Sequence, residues 1–453
     1  MSELFVITPL KWTPAVYGPE EVRQTSAILQ FTVNNRLVTR VDNDWTRVVD
    51  KTVCLSAYPL ALWLVSSWWR LHWEPVPAGI PNIEWRIAHE MGSAGHGFLW
   101  PPVRFESDGE MVTVHCTPSS AESNEPIRYL NRLHESIPSA EFTKGIVDFI
   151  QIVIDRLDSV GIQDTELHTL WREVGGERTN PKTASYRKME ALLGFDPDEG
   201  PETIVDTLLN LSMAVGDAAV AEIAASTSSP LHLNQVLESA RSAGLQGNLS
   251  GIYALMPQAT WCHYTTATPW DRGRDLARTV RQHLSLYSAP VSNRLLSDIL
   301  GLEERGLADG DAPMAGTDLS LAIKSEEGDQ VNLLFRRKRP NGRRFEVARW
   351  MADVLLSSAQ DRWLPATNAK TARQKVQRAF AAEFLSPIDA LKTYLDNDLA
   401  DEDRIEEAGG YFGVSPLTVR SQLVNHGLVP WNVIGNGSTP RDSWLEEWEK
   451  VKA

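Results

Sequence analysis

Cysteine, histidine and positive charge are all scarce in this chain of 453 residues. The three cysteines, Cys54, Cys116 and Cys262, lie far apart, and no Cys-x-x-Cys occurs. That spacing excludes a disulfide framework and a structural zinc ribbon, and it fits a reducing compartment. Histidine numbers ten, with none between His283 and His426. Lys and Arg total 44 against 59 Asp and Glu, a formal net charge of −15. So acidic a chain does not coat nucleic acid or an anionic membrane unless its cations are segregated. There is no G-x-x-x-x-G-K-[ST] and no G-x-G-x-x-G after a strand, so nucleotide chemistry has no sequence support. Long apolar runs are also missing. The most apolar stretch, Val53–Trp69, holds Pro59 and three serines and ends at Arg70. It reads as buried core, not as a membrane span. The opening residues, MSELFVITPLKW, lack a basic start and an apolar signal core, so a cytoplasmic location is expected.

Tryptophan is abundant: 16 residues, eight of them within the first 100. Ser26–Val41 predicts a hairpin around Asn34-Asn35-Arg36, and Val103–Cys116 a second one around Asp108-Gly109. Between them Leu60, Trp63, Leu64, Ser67, Trp68 and Leu71 recur at helical spacing behind Pro59. Residues 140–260 read as successive helices; the first, FTKGIVDFIQIVIDRLDSVG, stops at Gly161. The expected fold class is α+β and multidomain. It comprises a Trp-rich β-containing domain over 1–138, a helical connector over 139–262, a third domain over 263–435 and a polar tail over 436–453.

Four segments of the third domain, in order, carry a resemblance: WDRGRDLARTVRQHLSLYSAPV, NGRRFEVARWMADVLLS, QRAFAAEFLSP and YFGVSPLTVRSQLVNHGLV. Together they resemble the ImmA/IrrE family of zinc metallopeptidases over about 170 residues. FAAEFLSP followed by GVSPLTVRSQL is the specific pairing. The resemblance implies a zincin-like domain with a helix-turn-helix-like end. It also implies a bacterial regulatory, stress-response, toxin–antitoxin or phage-defence setting, because active members cleave repressor-type proteins.

The chain departs from the family where the chemistry sits. HExxH works because residues four apart share a helix face, so two imidazoles reach one zinc and the adjacent Glu activates its water. Here the aligned residues are Arg349, Trp350 and Asp353, and the third-ligand position falls at Gln374 or Val376. Arg has no lone pair to give a metal. These five residues form a vestigial site, in which Arg349 and Asp353 are expected to pair at i,i+4. The resemblance therefore implies a catalytically inactive protein that binds or senses a protein partner, with no cofactor.

Two other readings stand beside it. His89, Glu90 and His96 in WRIAHEMGSAGHGFLW would form a non-standard metal site, with His115 and Cys116 nearby, serving a zinc-dependent hydrolase or peptidase. Arg336, Arg337, Lys338, Arg339, Arg343, Arg344 and Arg349 put seven basic residues within fourteen positions. As a patch, Arg336–Arg344 would hold nucleic-acid phosphates or an acidic partner; otherwise it is a solvated turn. The helix-turn-helix-like piece from Arg404 to Val429 carries acidic residues where a DNA reader needs cations, and it reads as packing. The aromatic cluster Trp63, Trp68, Trp69, Trp73, Trp85 and Trp100 reads as core or as a ligand groove.

Overall fold

In a computed structural model of the chain, residues 3–120, 124–226, 244–255, 268–302, 307, 319–325, 329–358, 360–396 and 398–430 are described. The expected tail, Cys262 and the start of the third domain lie outside them. Contacts divide the chain between Asp206 and Thr207 into two units. That boundary falls within the stretch read as a connector. Both helices and antiparallel sheets are present, so the protein is α+β and multidomain. No helix among the described residues is long and apolar enough to cross a membrane.

The first unit is built on β1 (Phe5–Trp12), α1 (Glu20–Gln24), β2 (Ser26–Val33), β3 (Arg36–Leu37), β4 (Val41–Asn43), β5 (Val48–Asp50) and β6 (Val53–Ser56). Then come α2 (Ala57–Ser66), α3 (Trp68–Trp73), α4 (Ile83–His89), β7 (Val103–Ser107), β8 (Met111–Cys116), β9 (Ile127–Tyr129) and β10 (Leu133–Pro138). The helices α5 (Ser139–Ser159), α6 (Glu166–Thr179) and α7 (Pro181–Leu192) complete it. β2 pairs with β1, β3 and β6, while β10-β8-β7 and β5-β4-β9 form two further sheets, all antiparallel.

Asn34 and Asn35 both take positive φ (49° and 60°), the backbone of a primed two-residue turn. The Asp108-Gly109 hairpin differs from expectation. Only Gly109 has positive φ (92°), and Asp108 N–H donates to Met111 O at 3.0 Å, so the loop is Gly109 and Glu110 rather than Asp108 and Gly109. Asp108 Oδ1 accepts from Glu110 N and Met111 N, so its side chain shapes the turn. The Trp-rich helix is two helices, broken at Ser67.

Phe5, Phe31, Phe105 and Phe142 meet at centroid distances of 5.0–6.0 Å and bind β1 to α5. That approach requires Gly145, because a Cβ there would lie 2.3 Å from the Phe5 carbonyl oxygen. The six tryptophans of the aromatic cluster are core. Trp63, Trp68, Trp69, Trp85 and Trp100 are buried and Trp73 is partly so. The indole N–H groups of Trp63, Trp69 and Trp100 donate to Ile87 O, Glu177 Oε2 and Gly95 O. Arg178 lies over Trp68 and Lys188 over Trp73, so the cation contacts are internal.

The second unit takes the C-terminal part of α8 (Glu202–Val215), then α9 (Asp217–Ser226), β11 (Leu245–Asn248), α10 (Ser250–Tyr253), α11 (Pro269–His283), α12 (Asn293–Leu300), β12 (Ser320–Lys324) and β13 (Gln330–Leu334). α13 (Pro340–Leu356), β14 (Trp363–Ala366), α14 (Ala372–Leu385), α15 (Ile388–Leu395), α16 (Glu402–Phe412) and α17 (Pro416–Asn425) follow. The sheet order is β11-β13-β12-β14, antiparallel throughout. Pro340 starts α13 at a position where its missing N–H costs nothing. α11 crosses α14 at Gly273, where a Cβ would meet Val376 O at 2.4 Å.

Candidate functional site

The residues expected to form the vestigial site lie on α13 and α14. Thr371 caps α14, its hydroxyl accepting from Gln374 N at 3.3 Å. Arg349, Asp353, Gln374 and Val376 are all buried, as is Trp350, which packs against Phe335.

The structure corrects the expected Arg349–Asp353 pair. Arg349 turns to uncharged acceptors: Nε donates to Gln377 Oε1 at 3.2 Å, and Nη2 to Thr367 O at 2.7 Å and to Gln374 Oε1. Gln374 Oε1 also accepts from Thr367 N, while the amide nitrogens of Gln374 and Gln377 donate to Pro365 O. Burial first, and then neighbouring Arg378, pull the Arg349 guanidinium down to about 9, which leaves it charged at neutral pH. Asp353 instead takes a two-point contact from Arg373, Nε at 2.7 Å and Nη2 at 2.9 Å. Arg373 Nη1 also reaches Asp361. The two residues expected to pair are thus committed to separate networks, one of amides and one of charges. Arg349 cannot ligate, and Arg373 covers both Asp353 oxygens.

Glu383 of the FAAE motif is structural. Its Oε1 accepts from Arg278 Nε at 2.8 Å, and its Oε2 accepts from Gln422 Nε2 and from Ile388 N at the start of α15. One carboxylate ties α11, α14, α15 and α17. Gln377, Thr367, Arg373 and Asp361 were not expected at the site. Gln377 had a signal, since it stands three residues after Gln374 on one helix face.

The basic patch is also corrected. Arg343 and Arg344 are buried. Arg344 donates to Gly413 O, Val291 O and Asn293 Oδ1, while Arg343 donates to Arg337 O and lies 5.6 Å from the Phe335 centroid. Arg337, Lys338 and Arg339 remain exposed and Arg336 is half-buried, with Nη2 on Asn368 Oδ1. The helix-turn-helix-like piece folds as α16 and α17. Ser415 caps α17, and Arg420, its cation, is paired with Glu402.

His89, Glu90 and His96 have separate partners. His89 is buried and stacked on Trp85 at 4.1 Å, with Nδ1 2.8 Å from Trp85 O and Nε2 3.3 Å from Arg70 O. Glu90 takes both contacts from Arg86 at 3.0 Å, and His96 Nδ1 meets Ala94 O. No group of three or more His, Cys, Asp or Glu side chains that could hold a metal occurs among the described residues. No protein-family profile matches the chain, and neither a curated protein nor a solved structure matches it.

Proposed function

We propose that the second unit is a peptidase-like domain without catalysis, serving a bacterial regulatory or defence system by binding a protein partner. The observation that carries this reading is the occupancy of the ligand positions. Arg349 is fixed by Gln374, Gln377 and Thr367, and Asp353 by Arg373. A hydrolytic zinc needs three lone-pair donors and an open position, and this pair of helices offers a guanidinium in their place. The resemblance of the four quoted segments supports the family setting. The three exposed cations Arg337, Lys338 and Arg339 are too few, beside so acidic a chain, to favour a DNA reading.

The test is metal analysis of the purified full chain carrying His115→Gln and His134→Gln, which removes the histidine pair that meets across β8 and β10. The expected result is no stoichiometric zinc, and no cleavage of repressor-type substrates. Zinc at one equivalent that is lost on Asp353→Asn or Glu383→Gln overturns the reading.

A further inference from the structure

The outer face of the sheet β10-β8-β7 carries a polar row that the proposed function does not use. Register places Arg104 of β7 opposite His115 of β8, and His115 opposite His134 of β10. The two imidazoles meet Nδ1 to Nδ1 at 2.9 Å, with ring centroids 4.4 Å apart and planes at 62°. His134 is exposed and His115 is 20% exposed, so solvent ions reach them. On the far side of His115, Nε2 lies 3.2 Å from Glu106 Oε2. Glu106 is itself held by Arg104 through Oε1, at 2.9 Å from Nε and 2.7 Å from Nη2.

This chain of contacts sets a direction. By charge alone, without a hydrogen bond, the carboxylate 3.2 Å away favours the His115 tautomer with its proton on Nε2, which leaves the Nδ1 lone pair facing His134. A carboxylate behind an imidazole is also the usual second layer of a metal site. The spacing is that of a hydrogen bond, and it is nearer to one metal geometry than to another. Two metal–nitrogen bonds of about 2.0 Å at a right angle place their nitrogens about 2.8 Å apart, whereas a tetrahedral angle requires about 3.3 Å. Right-angled neighbours belong to square-planar and octahedral ions, and imidazole ligands suit Cu²⁺ and Ni²⁺.

We propose that His115 and His134 form a two-histidine site for a divalent transition-metal ion of square-planar or octahedral habit, Cu²⁺ before Ni²⁺, with its remaining positions filled by water. Binding breaks the Nδ1–H···Nδ1 hydrogen bond. The metal takes both Nδ1 lone pairs, and the displaced proton is replaced on His134 by one taken up at Nε2. No oxidation change is involved.

The experiment is titration of the folded full chain with Cu²⁺ alone, read by calorimetry and by electron paramagnetic resonance. Wild type is expected to bind one equivalent in a signal showing two imidazole nitrogens. His115→Gln and His134→Gln are each expected to weaken that event at least tenfold, with circular dichroism unchanged. His134 is exposed, so its replacement does not test folding. Glu106→Gln is expected to weaken binding about tenfold. If His134→Gln binds Cu²⁺ as tightly as wild type, or if only weak binding indifferent to both histidines is found, the proposal falls.

Discussion

Acid should loosen the first unit through two histidines held neutral in its core, and replacing one of them should flatten the response. His89 is fully buried against Trp85, and burial, offset in part by its bond to Trp85 O, takes its pKa down to about 3. His72 stacks on Trp68, contacts Trp68 O and Thr143 Oγ1, and is taken down to about 4, again mainly by burial. A group whose folded pKa is depressed in this way is neutral in the native state. The unfolded chain alone takes up protons below about pH 6.5, so each histidine's contribution is present near pH 7 and is lost as pH falls. From pH 7 to 5 the loss is about 2 kcal/mol per histidine. Glu74 acts oppositely. Burial, outweighing the Arg70 contact that lowers it, raises its carboxyl to about 7, so the native state binds that proton first and stability gains about 2 kcal/mol over the same interval. The three groups together leave wild type less stable by about 2 kcal/mol at pH 5. His89→Gln keeps a donor toward Trp85 O and removes the titration, so its stability between pH 7 and 5 should change by less than about 1 kcal/mol. Urea titrations at each pH, pulse-labelled with deuterium at one fixed pH and read on peptides covering 60–116, measure the difference. An equal slope in wild type and variant refutes the reasoning, whatever the variant's absolute stability.

Packing in the second unit is tested at glycines. Gly273→Val should lower its urea midpoint by an amount equivalent to about 2–3 kcal/mol, because the new side chain meets Val376 O and Ala379 Cβ on α14. Gly410→Ala on α16, where a Cβ meets nothing within 4 Å, should gain about 0.5–1 kcal/mol in the same assay. Across the basic run, Arg344→Ala should cost about 2 kcal/mol by leaving buried acceptors unmet, while Lys338→Ala should stay within about 0.5 kcal/mol. Equal costs for the two would return Arg344 to the surface.

What the sequence made legible was local chemistry. Asn34-Asn35 dictates its turn, Ser415-Pro416 its cap and first residue, and the missing histidines exclude HExxH. What it hid were partners from other elements. The i,i+4 rule pairs Arg349 with Asp353 on one helix, yet Arg373 and Gln374 of the next helix outbid them. The hidden partners of these buried and half-buried arginines are mostly backbone carbonyls. Arg281 donates to Phe384 O, Tyr287 O and Ala289 O, Arg344 to Gly413 O and Val291 O, Arg349 to Thr367 O and Arg378 to Ala369 O. Helix ends and loops leave such carbonyls without intrahelical donors, and a guanidinium with five N–H groups can satisfy several at once. Every residue carries a carbonyl, so composition and spacing cannot announce this use of arginine. A run of positive residues is a binding patch only where the surrounding backbone has no carbonyls to spend on it. Here Arg343 and Arg344 hold the fold, and Arg337, Lys338 and Arg339 are left to face solvent.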